Sequence, residues 1–553
     1  MAPATLSVVR PLYTFIAVWS LTGGCSGAVR STDSGDDGAG GGAGTSEQTG
    51  GAGSNGSAAG PARAAPTMLR RLTNTEYRNT LVALLSLPQS PKDSLSADPL
   101  SKAGFDNFSS QLTVSTTTAA QYAALSESLV SAWKAPACAG AETDCAKTFV
   151  ASFGKKAFRR PLSDTELQRY VALYTDERTR GTHAGALGQV VETMLQSPKF
   201  LYRSELGNPA DGANRKLTPY EVATALSYLF TGSMPDDELF AAADADALRT
   251  PAQIEKQARR LLGLPSAKST LRGFIEAYAG ITRLSEITKN AETYPQFTAA
   301  LHSAMKEETS RFIDSVLWEG DGTFKSLLTN TTTFVNADLA KFYGLPGAAD
   351  PTTFVKATPL HRAGLLTRPA VLAAHSKANE SFPILRGKFV RVALLCQNLP
   401  APPKVVPKAP EPAANATTRE RFAQHASDPA CSGCHRLIDP LGFGFENYDG
   451  IGQYRETESG KPIDAAGVIT DTIDLDGPFM GAVELSQKLA SSAEAQQCFA
   501  LQAFRWMFGR YDADDEAKIA EAAQTALSRE GLNIKDLFVS LAKTDAFASR
   551  TFE

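Results

Sequence analysis

Helix start signals recur along this chain and constrain its fold more than any other feature. In each of three places a Ser or Thr precedes a Glu by three residues, just before an apolar stretch. The three pairs are Thr73 and Glu76, Ser163 and Glu166, and Thr218 and Glu221. Such a pair can satisfy backbone N–H groups at a helix start, which is the capping-box arrangement. Apolar residues then follow at helical spacing and β-branched alternation is scarce, so the sequence predicts a mainly α, multi-domain protein.

The first 66 residues differ in composition from everything that follows. Residues 1–25 carry one charge, Arg10, then a ten-residue, largely apolar stretch and "LTGGC". This pattern indicates a lipoprotein-type signal peptide with Cys25 as the lipidated first mature residue, and a plain secretory signal is the alternative. Residues 26–66 are rich in Gly and Ser and predict a disordered tether. We therefore expect an exported protein that is lipid-anchored to the cell envelope, at the outer membrane or the cell surface.

The pentapeptide "CSGCH" at 431–435 is compatible with three chemistries: zinc binding, dithiol redox cycling and covalent haem attachment. Structural zinc needs four ligands and the sequence has no second C-x-x-C. A thioredoxin-like dithiol belongs in a βαβ setting, which this region lacks. C-x-x-C-H is the attachment signature of c-type haem, and the chain carries an export signal. The motif therefore predicts covalent haem c, with thioether bonds from Cys431 and Cys434 and with His435 as an iron ligand.

Two further cysteines, Cys138 and Cys145, bracket six polar or small residues. In an exported protein that spacing suits a local disulfide that closes a loop, and two unpaired thiols are the alternative.

Longer stretches surround the pentapeptide and extend upstream of it. They include "SFPILRGKFVRVALLCQNLPAPPKVV" (381–406), "TRERFAQHASDPACSGCHRLIDPLGFGFENYDGIGQYR" (418–455), "CFALQAFRWMFGRYDADD" (498–515) and "LLTNTTTFVNADLAKFYGLPG" (327–347). These stretches resemble large secreted bacterial proteins built from consecutive domains of unknown function, with a cytochrome-c-like C-x-x-C-H in the penultimate domain. The resemblance covers residues 68 to 550 and implies a c-type haem, but the family has no established reaction.

The resemblance also implies a domain order. The intervals are 68–135 for an N-terminal helical domain, 138–206 for a small helical domain, 215–347 for a central helical domain, 358–458 for the C-x-x-C-H domain, which is loop-rich, and 475–550 for a C-terminal helical domain. Cys396 and Cys498 lie in the part that resembles the family, and we expect them to bridge the haem-bearing region to the last helices. Two buried thiols are the alternative.

The segment after the motif predicts a tight turn over Asp439 to Gly442, because Asp-Pro-x-Gly is a turn sequence. Phe443 and Phe445 then pack either against the porphyrin or in an ordinary core. For the sixth iron position the sequence offers Met480, near glycines, as first choice and His425 as the alternative, and an open position is also compatible.

The net charge of −4 and the absence of a basic stripe argue against a nucleic-acid partner. The acidic stretches at 236–238 and 512–515 predict a solvated helix cap and a loop rather than a catalytic pair.

The first functional hypothesis is a surface-tethered haem protein that transfers one electron at a time, with a membrane and a redox protein as its partners. The alternatives are a haem-dependent oxidoreductase acting on an extracellular polymer and a non-catalytic binding or scaffold protein. The sequence does not identify a substrate.

Overall fold

The computed structural model describes residues 65–66, 69–346, 350–400, 415–426, 429–511, 516–528 and 531–551. The predictions of a signal peptide, of lipidation at Cys25 and of a loop at 512–515 lie outside these residues, as do residues 26–64 of the predicted tether. The last two tether residues, Ala65 and Pro66, form a strand, so the prediction of disorder is wrong there. The prediction of a mainly α, multi-domain protein is confirmed, because the fold is about 57% helical and its strands are short.

The first six helices form a small core of their own. Their bounds are α1 Asn74–Leu85, α2 Thr116–Ala132, α3 Glu142–Phe158, α4 Asp164–Arg178, α5 His183–Leu195 and α6 Pro198–Leu201. Apolar side chains at helical spacing, among them Leu81, Val150 and Val190, are fully buried between these helices. The capping boxes predicted at the starts of α1 and α4 are present, so local sequence determined where these helices begin.

A second and larger core extends from the centre of the chain to its end. The central helices are α7 Pro219–Thr231, α8 Asp237–Asp244, α9 Pro251–Leu262, α10 Pro265–Tyr278, α11 Ala299–Asp314, α12 Phe324–Thr329 and α13 Ala337–Tyr343. The following helices are α14 Pro369–Ala374, α15 Pro383–Phe389, α16 Thr418–Ala426 and α17 Pro429–Phe443. The last are α18 Gly481–Ser491, α19 Ala493–Phe508, α20 Glu516–Ala526, α21 Ile534–Ala542 and α22 Asp545–Ala548. Aromatic side chains join these groups: the Phe274 ring of α10 lies 5.6 Å from Phe499 of α19 and 5.3 Å from Phe538 of α21.

Short helical turns of other types interrupt this pattern. The 3₁₀ turns are Pro209–Asp211 and Ile281–Glu286, and the π turns are Ser315–Glu319 and Val390–Leu394. In the part of the chain that the structure describes, no helix is both long enough and apolar enough to cross a bilayer.

The strands are two to four residues long, and some of them pair distant parts of the chain whereas others form local hairpins. They are β1 Ala65–Pro66, β2 Arg70–Arg71, β3 Tyr202–Arg203, β4 Asn214–Lys216, β5 Thr333–Val335, β6 Val355–Ala357, β7 Thr457–Glu458, β8 Lys461–Pro462, β9 Ala466–Ile469, β10 Gly477–Met480, β11 Leu527–Ser528, β12 Gly531–Leu532 and β13 Ser549–Thr551. The C-terminal β13 lies between β1, to which it is parallel, and β4, to which it is antiparallel. Hydrogen bonds of this sheet therefore hold both ends of the described chain together.

Two disulfides are present among the described cysteines. Cys138 and Cys145 are bonded across Cα atoms 5.8 Å apart, and Cys396 is bonded to Cys498 with a Cα separation of 5.3 Å. The second bond joins Cys396, two residues after the Val390–Leu394 π turn, to α19, 102 residues further along the chain. A disulfide that closes so long a loop lowers the conformational entropy of the unfolded chain. In the chain-entropy treatment this stabilises the folded state by about 4–5 kcal/mol.

A fully buried ion pair joins α11 to the start of α14. Arg368 and Glu308 are both 0% exposed, with 3.1 Å between Arg368 Nη1 and Glu308 Oε1. The same carboxylate oxygen accepts hydrogen bonds from the hydroxyls of Thr333 and Tyr343. Arg368 also donates through Nε to the Gly364 carbonyl at 2.9 Å. Because both charges are removed from water, each depends on the other for compensation.

We expect Arg368→Met to lower the free energy of unfolding by roughly 3–5 kcal/mol, because the Glu308 carboxylate would stay buried without its counter-charge. Arg249→Met is a matched control, since Arg249 forms an exposed pair with Asp246; exposed pairs contribute less than about 1 kcal/mol. Urea unfolding followed by circular dichroism measures both. A loss for Arg368→Met no larger than that of the control would contradict the prediction.

Candidate functional site

Helix α17 carries the C-x-x-C-H motif and continues well beyond it. The predicted turn over Asp439 to Gly442 is wrong, because the helix runs through Pro440 to Phe443 and the turn occupies 444–447. The reason is tertiary packing against α15. A Cβ on Gly442 would lie 2.0 Å from the Pro383 carbonyl oxygen, and one on Gly387 would lie 2.0 Å from the Ile438 carbonyl oxygen. The two helices therefore touch backbone to backbone, and this contact keeps α17 helical across its proline.

His435 is held by a carboxylate one turn further along the same helix. Its Nδ1 lies 3.0 Å from both carboxylate oxygens of Asp439. The Asp439 side chain is 3% exposed and that of His435 is 13% exposed. An acceptor on Nδ1 favours the tautomer in which Nδ1 carries the proton and Nε2 has the lone pair that binds metals. Asp439 was not among the predicted site residues, and its signal was the four-residue spacing that places both side chains on one helix face.

The helix also places the motif cysteines in register with His435. Residues 431, 434 and 435 share one side of α17, because residues three and four apart on a helix are neighbours. Cys434 is half-buried and belongs to neither disulfide, and its sulfur lies 3.5 Å from the Pro400 carbonyl oxygen. The side chain of Cys431 lies outside the described residues.

The segment after α17 is fastened by a buried arginine that sequence reasoning missed. Arg386 on α15 is 1% exposed. It donates hydrogen bonds to the carbonyls of Phe445 at 3.0 Å, Tyr448 at 2.6 Å and Asp449 at 2.6 Å. The sequence around Arg386 does not indicate that it binds these carbonyls, because its acceptors are about 60 residues away in the chain. Arg386 therefore fixes the chain where it leaves the motif helix.

A cavity of about 580 Å³ lies beside α17, on the side of Pro440 and Phe443. Its opposite wall is the hairpin of β9 and β10, in which Met480 pairs with Ala466. Met480 is thus in a strand rather than in a glycine-rich turn, and it is 61% exposed. Its side chain shares the cavity with Pro440 and Phe443, whereas His435 is not among the lining residues.

The two aromatics after the motif take different places. Phe445 is 2% exposed and belongs to the large core. Phe443 packs with Phe382 and Phe422 in a small cluster, and the Arg419 guanidinium lies 4.4 Å from its ring centroid. Phe445 is therefore ordinary core, and Phe443 is the aromatic that reaches the cavity.

Another histidine of the fourth domain, His375, is engaged in packing. Its Nε2 lies 3.0 Å from the Ala279 carbonyl oxygen and its ring stacks on Phe389 with centroids 4.1 Å apart. Burial lowers the pKa of His375 to about 4, so it is a neutral structural residue. His425 lies in α16, and its side chain is outside the described residues.

Asp236, in one of the two acidic stretches, has a structural role. Asp236 caps α8 through the Leu239 N–H at 2.9 Å and pairs with Arg260, as expected of a helix cap. Within the described side chains, no group of three or more His, Cys, Asp and Glu is arranged to hold a metal ion.

The residues around the motif fit a covalently bound haem. Two motif cysteines are spaced by one helical turn, the thiol of Cys434 is outside any disulfide, and Asp439 orients the neighbouring imidazole. The largely apolar cavity on the same helix is lined by Pro440, Phe443 and Phe479, and Cys434 and His435 are not among its lining residues. The donor set is the one that c-type attachment uses.

Comparison with known families finds five consecutive matches along the chain. Each is described as a protein of unknown function: DUF1587 at residues 70–133, DUF1595 at 145–205, DUF1592 at 217–345, DUF1588 at 362–458 and DUF1585 at 476–547. These families are associated with cytochrome-c-like domains. No curated protein and no solved structure matches the chain. The chain is therefore a multi-domain protein made of five consecutive domains of unknown function, and α17 with its C-x-x-C-H lies in the fourth.

Proposed function

We propose that this protein is a c-type haem protein that transfers one electron at a time. The observation that carries the proposal is the His435–Asp439 pair on the motif helix. A buried carboxylate on the Nδ1 of a histidine is the usual support of a metal-binding imidazole. The pair supports a metal-binding imidazole, and the C-x-x-C-H spacing favours haem over a zinc site or a dithiol.

Each residue of the site has a role in this proposal. Cys431 and Cys434 form the thioether bonds, and His435 presents Nε2 to the iron. Haem supplies reversible one-electron chemistry when it is bound. Asp439 accepts the Nδ1 hydrogen bond, keeps the ring in one orientation and makes the imidazole a stronger donor. A stronger donor stabilises the oxidised form, so Asp439 lowers the reduction potential.

The packing around α17 suits electron transfer, because a rigid support keeps reorganisation small. Arg386 fastens the segment after the helix, and the Gly387 and Gly442 contacts leave α15 and α17 no room to slide. Exposed apolar side chains on the β9–β10 hairpin, Met480 and Val468, border the cavity beside the helix. They offer a surface on which a redox protein can dock.

Export and anchoring complete the proposal. A signal peptide ending at Cys25, lipidation of that cysteine and the tether at 26–66 would hold the five domains at the cell envelope. Covalent haem attachment after export and the two disulfides are chemistry of the same oxidising compartment.

One observation favours an alternative, a haem-dependent oxidoreductase acting on an extracellular polymer. The carboxylate on Nδ1 of His435 pushes electron density toward the iron, which also suits oxidative chemistry at an open iron position. The two functions differ in the sixth iron position, for which Met480 is the first candidate and His425 the second.

We expect wild-type protein matured with a cytochrome c assembly system to keep its haem stain after denaturation and to titrate as a one-electron couple. Cys431→Ala with Cys434→Ala should abolish the stain, because both thioether bonds are lost. The control removes another pair, Cys138→Ser with Cys145→Ser, and should keep it. A colourless wild type with bound zinc would overturn the haem proposal.

We expect Asp439→Asn to raise the midpoint potential by about 60 mV, which is a tenfold change in a one-electron equilibrium. The amide lacks the charge that strengthens the imidazole as a donor. Asp471→Asn is the control, because Asp471 is exposed and pairs with Arg436, which lies on α17 as Asp439 does. Equal shifts in both variants would mean that only net charge matters and that Asp439 has no special role.

We expect Met480→Ala to remove the Fe–Met charge-transfer band from the optical spectrum of the oxidised protein. The control is Met507→Leu, a substitution in the buried core, which should leave the band unchanged. A low-spin spectrum that survives Met480→Ala rejects Met480 and moves the assignment to His425. A wild-type spectrum that is already high-spin rejects both ligands and favours the oxidoreductase.

A further inference from the structure

A second cavity, of about 420 Å³, lies where four of the five domains meet. Its walls come from the domains at 70–133, 145–205, 217–345 and 476–547, together with Arg550 just beyond the last range. None of its lining residues belongs to the fourth domain, which carries the C-x-x-C-H motif. This cavity is therefore separate from the site of the proposed haem.

A buried arginine on its wall has donors without acceptors. Arg203 is 3% exposed, and its guanidinium lies over the Tyr228 ring, 5.0 Å from the centroid. Its Nη1 is 3.7 Å from Glu76 Oε1, which is too far for a hydrogen bond. Among the described residues, Nε and Nη2 of Arg203 have no hydrogen-bond partner. These two atoms form the edge of the guanidinium that binds a carboxylate with two parallel hydrogen bonds.

A second arginine on the same cavity is in a similar state. Arg70 donates from Nη1 to the Met507 carbonyl at 2.7 Å, while its buried Nε has no partner within the described part of the chain. Gly509 makes room for it, because a Cβ there would lie 3.1 Å from the Arg70 guanidinium. By contrast, Arg550 is paired with Glu205. Buried polar groups in folded proteins generally have partners, so these three nitrogens on one cavity offer N–H groups to a bound acceptor.

The carboxylates on the wall are mostly engaged with protein groups. Glu76 Oε2 accepts the Thr73 N–H at 2.9 Å, and Glu276 accepts the Ser310 hydroxyl at 2.7 Å. Asp106 also lines the cavity; burial, together with the charges of Asp98 and Glu76, raises its pKa to about 6. Its repulsion of an anion therefore declines in mildly acidic solution.

The remaining wall is apolar and includes Leu229, Ala277 and Phe547. We propose that this cavity binds a small organic carboxylate, with the carboxylate on Arg203 and Arg70 and the apolar part against Leu229 and Phe547. The volume lies in the range of small-molecule sites, about 300–1,000 Å³. The inference goes beyond the proposed electron transfer and does not depend on haem.

The test uses the full chain and benzoate as the probe, with benzamide as its uncharged counterpart, in calorimetric titrations near pH 6. Benzoate should bind saturably with one site per chain, and benzamide about tenfold more weakly or less, because it lacks the charge. Arg203→Met should weaken benzoate binding by about tenfold. Arg260→Met removes the same charge from an arginine that does not line the cavity, and should leave binding unchanged.

A second variant tests the cavity without altering any charge. Gly273 on α10 lines the cavity, and a Cβ there would meet nothing within 4 Å. Gly273→Leu should therefore fold normally, as measured by circular dichroism and thermal unfolding, and should lose benzoate binding. The proposal is overturned if wild type shows no saturable benzoate binding, if benzamide binds equally well, or if folded Gly273→Leu binds like wild type.

Discussion

Buried arginines hold the fourth domain and its neighbours together, because each buried guanidinium group requires hydrogen-bond acceptors from the surrounding chain. Arg368, Arg386 and Arg391 are the largest fully buried side chains in the part of the chain that the structure describes. A buried charge without partners costs several kcal/mol, so each arginine brings acceptors from distant segments toward it. Arg368 gathers a carboxylate from the central domain, and Arg391 donates to the Leu437 carbonyl inside the motif helix at 2.8 Å.

This requirement explains why a helix with an internal proline is well defined. Pro440 lacks an N–H and would weaken α17 in isolation. The Arg391 hydrogen bond and the close approach of Gly387 and Gly442 compensate, because they attach the helix to α15 and to the π turn that follows it. The motif histidine and its carboxylate therefore project from a firmly held element, which is what a site with a defined potential needs.

The two cavities divide the molecule into regions of different chemistry. The one beside α17 is open and largely apolar, with Met480 and Phe443 on its walls. The one at the junction of four domains is lined by charged side chains, and three of its buried arginine nitrogens have no partner among the described residues. The Cys396–Cys498 disulfide links the fourth domain to the last domain, and the Glu308–Arg368 pair links it to the central domain.

Local chemistry made the helical fold and the motif predictable. A capping box involves residues three apart, so Thr73 with Glu76 and Ser163 with Glu166 could be recognised without knowing anything about their surroundings. C-x-x-C-H can be recognised in the same way, and the haem attachment that its spacing predicts stays a prediction. The predicted turn over Asp439 to Gly442 was wrong because an Asp-Pro-x-Gly sequence favours a turn only where no partner holds it in a helix.

The tertiary structure alone decided which side chains the buried arginines contact and where the cavities lie, because these contacts join residues far apart in the chain. No local pattern relates Arg386 to the carbonyls of Tyr448 and Asp449, or Arg70 to the carbonyl of Met507. Cavities arise in the same way, from surfaces that meet only after folding. The sequence by itself determined the helices and the motif because hydrogen bonds and side-chain spacing within one turn are local. The burial of the His435–Asp439 pair and the charged cavity required the fold, because burial depends on every element packed around them.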